Sequence, residues 1–100
     1  MRIQHQDGTL VLSGIGELNA ANSSTFRDDA RAALRPDTAT LDVDLSVTRM
    51  VDSSGLGALI ALQKTLQSRG GNVRILNPTS TVQQILELTR LHRVFEIVHG

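Results

Sequence analysis

The sequence contains no cysteine, tryptophan or tyrosine, and its one lysine is Lys64. Without cysteine, disulfides and thiolate zinc sites are excluded, and thiol usage says nothing about redox compartment. Phe26 and Phe95 are the whole aromatic content, too little for a platform that stacks bases or sugars. No segment reaches the ~18 apolar residues of a membrane span. The opening MRIQHQDGTLVL lacks the apolar run and cleavage pattern of a leader. The expected localisation is therefore cytoplasmic, with no membrane span. Neither sign of charge dominates, since ten basic and ten acidic residues leave a formal net charge of zero. A nucleic-acid partner would need a basic surface, so direct nucleic-acid binding is not expected.

What is present is an ordinary globular composition over 100 residues, the length of one domain, 1–100, with a core of its own. TLVL at 9–12 reads as a strand, with a partner around Ile3 across the Asp7-Gly8 turn. A helix is expected from about Ala20 to Leu34, with Phe26, Ala30, Ala33 and Leu34 as its buried stripe; Arg35-Pro36-Asp37 stops it. ATLDVDL at 39–45 alternates Leu41, Val43 and Leu45 with Asp42 and Asp44, a strand signature in which the aspartates form a solvated face. SSGLGALIALQKTLQSRGG carries a helical stripe from Leu56 to Leu66 and stops at Gly70-Gly71. NVRIL at 72–76 is a further strand. NPTSTVQQILELTRL is a third helix, with Ser80 and Gln83 placed as a capping box. VFEIV at 94–98 closes the series as a short strand. The order β-β-α-β-α-β-α-β predicts an α/β fold: a mixed sheet of four to five strands, opened by a hairpin, with helices packed on it.

Chemistry concentrates in RMVDSSGLGALIALQ, residues 49–63. A serine at a strand-to-helix turn is where a hydrolase nucleophile sits, but the nucleophile elbow is G-x-S-x-G, and here the run is Val51-Asp52-Ser53-Ser54-Gly55. No histidine is placed as its base; His5, His92 and His99 lie near the chain ends. Gly55-Leu56-Gly57 and Gly14-Ile15-Gly16 are each half of a dinucleotide fingerprint, and neither is followed by a phosphate-binding lysine. Asp42, Asp44 and Asp52 could form an oxygen-ligand metal site, but a strand face and a helix cap account for them better. Asp52 or Ser53 can cap the helix. That leaves Gly55 and Gly57 unexplained, since each costs up to about 1 kcal/mol against alanine inside a helix. Two such glycines imply close approach by a neighbouring strand or by an outside partner. A serine in the first helical turn can also carry phosphate, because free N–H groups and the helix dipole offset its charge.

These residues resemble a known family. LDVDLSVTRMVDSSGLGALIALQKTLQSRGGNVRILNPTSTVQQILELTRLHRVFEI is similar to the STAS domains of bacterial anti-sigma factor antagonists. The likeness runs through the Leu41–Leu45 strand, D-S-S-G-L-G, the RGGNVRIL segment, Pro78, and the spacing of Leu86, Leu91 and Phe95. LVLSGIGELNAANSSTF is similar to the family's strand–G-E-L–helix segment at Gly16, Glu17 and Leu18. The resemblance implies a STAS-type fold and a phosphorylation-switched binding module, not an enzyme, with no cofactor of its own. It implies phosphorylation at Ser53 by an anti-sigma factor serine kinase that supplies the ATP, reversal by a PP2C-type phosphatase, and release of a sigma factor by the unphosphorylated form. Asp52, Ser54, Gly55, Leu56, Gly57 and Asn19 are the implied partner-binding residues. Asn19 stands where many members have aspartate. The alternative within the fold is a non-switching subunit of a stressosome or a lipid-transport complex.

Overall fold

The computed structural model describes residues 1–100. The elements are β1 (Arg2–Gln6), β2 (Thr9–Ser13), β3 (Glu17–Leu18), α1 (Ser23–Ala33), β4 (Thr40–Asp44), β5 (Met50–Val51), α2 (Ser53–Gln67), β6 (Asn72–Leu76), α3 (Ser80–Leu88) and β7 (Glu96–Val98). Asp7 (φ 45°) and Gly8 (φ 81°) turn the opening hairpin with positive φ at both central positions, the requirement of a two-residue type I′ turn. The main sheet runs β1-β2-β4-β6-β7. Its β1–β2 pair is antiparallel and the remaining pairs are parallel. β3 and β5 pair separately, as a two-stranded parallel ribbon.

From β2 onward each parallel strand adds on the same side of its predecessor. Parallel crossovers are right-handed, so successive steps in one direction place every connecting helix on one face of the sheet. The strands show this polarity. Leu10, Leu12, Leu41, Val43, Val73 and Ile75 point to the helical layer and are fully buried. They join Phe26 and Ala30 of α1, Leu59, Leu62 and Leu66 of α2, Val82 and Leu86 of α3, and Phe95 in one core of 19 residues. The opposite face carries no helix, and its side chains are mostly polar.

Four expectations need correction. α1 starts at Ser23, not Ala20, because residues 19–22 form a loop of side-chain-to-backbone bonds. Asp42 is not solvated: it is 5% exposed and paired to Arg74 through two 2.7 Å bonds. The Asp42 hydrogen bond and charge raise the pKa of Arg74 above its ordinary value. The cap of α3 is Thr79, whose Oγ1 accepts from Val82 N, while Gln83 donates to Glu87 instead of closing a box with Ser80. The last strand is shorter than 94–98, because residues 91–93 form a 3-10 turn that seats Phe95 in the core.

One buried polar side chain joins helix to sheet. Gln63, on α2, is 6% exposed. Its Oε1 accepts from Val73 N at 2.8 Å and its Nε2 donates to Val94 O at 3.1 Å. β7 begins at Glu96, level with Arg74, so Val73 has no strand neighbour there. The carboxamide supplies the missing rung as a peptide group would. Replacing Gln63 with leucine strands a donor and an acceptor, so Gln63→Leu should lower unfolding stability by about 2–3 kcal/mol. Chemical denaturation measures the loss; a cost below about 0.5 kcal/mol would show that the rung carries no net stability.

Candidate functional site

The D-S-S-G-L-G run lies at the carboxyl-terminal end of the parallel strands, where α2 follows directly on β5. Asp52 is the N-cap of α2: its extended backbone (φ −90°, ψ −174°) breaks from the helix, and its Oδ1 accepts from Gly55 N at 3.0 Å. Its Oδ2 accepts from Ala20 N at 3.2 Å, 32 residues back in the β3–α1 loop. A single carboxylate therefore holds a helix start and a neighbouring loop together. Asp52 N donates to Leu18 O at 3.0 Å, which continues the β3–β5 ribbon into the cap.

The two glycines separate in role. An atom placed at the Cβ of Gly55 would lie 2.6 Å from Leu18 O, 2.7 Å from Leu18 Cβ and 2.9 Å from Val51 Cγ1. Gly55 is buried, and the close approach there comes from the chain's own β3 and β5. Gly57 is exposed with nothing within 4 Å of its Cβ position, so no neighbour in the fold requires a glycine there. Leu56 is half-buried against the core.

Asn19 sits in the same loop but does not cap α1; Asn22 occupies the N-cap position. Asn19 Oδ1 accepts from Ala21 N at 3.0 Å and its Nδ2 donates to Glu17 Oε2 at 3.3 Å. An aspartate could not make the second bond and would face the Glu17 carboxylate with like charge. Asn22 reinforces the loop, accepting from Asn19 N at 2.9 Å and donating to Glu17 O at 2.8 Å. Arg49 bonds Glu17 from the β5 side at 3.3 Å, but it is largely exposed, so this pair contributes little to stability. Below the ribbon, Thr48 Oγ1 donates to Ile15 O and Thr79 Oγ1 donates to Thr48 O at 2.8 Å. Asn22, Thr48 and Thr79 were not singled out in the sequence. No local pattern marks Thr48 and Thr79, because the backbone carbonyls they donate to lie more than 30 residues away, and Asn22 bonds backbone groups of an irregular loop that has no period.

Against this tied frame, Ser53 and Ser54 are exposed, and neither hydroxyl is held by a hydrogen bond to the rest of the chain. His5 lies on the outer strand β1 and His92 in the 3-10 turn, where its Nδ1 lies 3.4 Å from Leu86 O. No acidic residue occupies the first turn of α2. No group of three or more His, Cys, Asp or Glu side chains could hold a metal ion, and both oxygens of Asp42 are taken by Arg74. No helix is long and apolar enough to cross a membrane.

Comparison with known proteins matches residues 1–99 to the family model described as the STAS domain. A Paenibacillus polymyxa protein named anti-sigma F factor antagonist is 24% identical over 98 residues, covering 97% of this chain and 84% of that protein. The unphosphorylated form of the anti-sigma factor antagonist SpoIIAA superposes with a TM-score of 0.83 at 20% identity, over 99% of this chain and 86% of the other. The phosphorylated form of the Bacillus cell-fate determinant SpoIIAA gives 0.76 at 20% identity, over 99% and 89%.

The contacts predict opposite outcomes at the two glycines. Gly55→Ala should destabilise by about 1–3 kcal/mol through overpacking against Leu18. Gly57→Ala should stabilise by up to about 1 kcal/mol. Thermal and denaturant unfolding of the two variants measures both; equal effects would contradict the packing difference. Asp52→Ala should cost about 1–2 kcal/mol as a lost cap and free the Ala20 amide, which hydrogen exchange detects.

Proposed function

The chain belongs to the STAS domain family, whose anti-sigma factor antagonists are binding proteins and not enzymes, and from that premise we propose that it is a phosphorylation-switched binding module with Ser53 as the phosphate acceptor. The observation that carries this reading is an exposed, unengaged serine at the first position of a helix whose start is already capped by Asp52. The cap satisfies Gly55 N and leaves the hydroxyl of Ser53 free to react. The remaining first-turn N–H groups and the positive helix end offset added negative charge. The chain needs no base of its own for this chemistry. The partner, an anti-sigma factor serine kinase, supplies ATP and catalysis and transfers the γ-phosphoryl group to the Ser53 hydroxyl.

The same surface binds that partner in the unphosphorylated state and so releases a sigma factor. In this reading Asn19, Ser54, Leu56 and Gly57 are the further contact residues for the partner. Asp52 and Gly55 act from beneath, by fixing the backbone. Phosphate adds roughly 1.5–2 negative charges beside Asp52. Like-charge repulsion and the cost of desolvating the phosphate then break the complex. A PP2C-type phosphatase restores binding. Relatives named anti-sigma factor antagonists, and SpoIIAA solved with and without phosphate, support this reading.

Incubation with the cognate kinase and ATP should add one phosphate, at Ser53, and Ser53→Ala should take none. Phosphate found on Ser54 alone would refute the assignment, and no phosphate from any kinase encoded beside it would favour a non-switching STAS subunit. Ser53→Asp should weaken partner binding at least about tenfold, or ~1.4 kcal/mol, with an unchanged circular dichroism spectrum. Wild-type affinity in that variant would remove charge repulsion as the mechanism.

A further inference from the structure

The two edges of the sheet are guarded unequally. β7 is three residues long, carries Glu96, and is tied at its end by Asn77 N to Val98 O and by Gly100 N to Asn77 Oδ1. β1 is five residues long and exposed throughout. It has no proline, no lysine and no acidic residue, and of the devices that usually prevent edge pairing it carries one charge, Arg2 at its first position. Ile3 points to the helical side opposite Leu12, yet no helix covers it and it remains 41% exposed. The hairpin holds β1 in place, because Gly8 O accepts from Ala39 N and Thr40 N at the start of β4.

The turn fixes which backbone groups face outward. A two-residue hairpin turn is closed by a hydrogen-bonded pair, here Gln6 and Thr9. Gln4 and Arg2 share that parity and bond to β2. The N–H and C=O groups of Ile3 and His5 therefore point away from the sheet, unpaired.

We propose that β1 is a homodimer seam: a second copy of this chain pairs its own β1 antiparallel to the first, about a two-fold axis through Gln4. In this register Ile3 faces His5 of the other copy in a hydrogen-bonded pair, and the reciprocal pair completes about four main-chain bonds. Gln4 faces Gln4 across the axis. Arg2 faces Gln6, so the only charge on the strand never meets its like. The two Ile3 side chains come together on the helical side, covering surface that a single copy leaves exposed. The zero net charge of the chain puts no long-range repulsion between copies. The interface is isologous and closes at two. A seam of five residues is smaller than a standard interface, so the dimer fraction rises with concentration. Because the strands run antiparallel, the two Ser53 sites lie at opposite ends of the ten-stranded sheet, and each remains open.

The absence of native cysteine permits a direct test. A non-hydrogen-bonded antiparallel pair has Cα atoms about 4.5 Å apart, within the range a disulfide spans. Gln4→Cys should therefore oxidise to a covalent dimer at least about tenfold faster than Gln6→Cys, whose mate faces Arg2. Adding His5→Pro removes an outward N–H without touching the β1–β2 bonds and should lower the Gln4→Cys rate to that of Gln6→Cys. Adding Ile3→Lys, which charges the seam, should do the same and serves as the second variant if the proline disturbs folding. Sedimentation velocity of the wild type should show the mean coefficient rising with concentration. Equal oxidation rates for Gln4→Cys and Gln6→Cys, or a coefficient independent of concentration, would overturn the seam.

Discussion

The site depends on the two oxygens of Asp52. One holds the first turn of α2 and the other holds the loop that leads into α1. These bonds require the helix start to lie against the β3–β5 ribbon, and Gly55 is the residue that lets it. With the backbone fixed from within, neither serine hydroxyl is needed to hold the fold. That economy separates the roles that D-S-S-G combines in sequence: the aspartate and glycine build the platform, and the serines are left on top of it. It also warns that loss of partner binding in an Asp52 variant cannot by itself be read as loss of a contact.

The legible part of the fold was the part with period. β2, β4, β6, α2 and α3 show their buried face in the spacing of Leu, Ile and Val, α1 shows it in Phe26 and Ala30, and β6 has the bounds expected for it. β3 and β5, at two residues each, are too short for any period, so the ribbon that cradles the site was invisible. The burial of Asp42 is not legible, because alternation tells which face a residue is on but not what lies on that face. Its partner Arg74 is 32 residues away and reads as an ordinary strand cation. The capping of α3 was displaced by one residue, since threonine and serine are adjacent and both can cap. In the site, the D-S-S-G signature located the helix start. The division of labour between Gly55 and Gly57 needed the neighbours that only the fold supplies.

The sequential strand order has a functional corollary. All three helices share one side, and their amino termini follow the carboxyl ends of parallel strands, the end where α/β sheets place their binding sites. The Asn19 loop and the α2 start come together there because β3 and β5 pair. The bare face and the outer strand β1 lie away from that end. The proposed partner surface and the proposed seam between copies therefore fall on different parts of the domain.

Gln63 lies on the helix that begins at Ser53, nearly three turns further along. Its two bonds are made to atoms of separate segments, Val73 and Val94, and a rotation of the helix by one residue, about 100°, would break both. The side chain thus works as an index pin. It sets the rotational phase of α2, and with it the compass direction in which the serine at the helix's first position looks out.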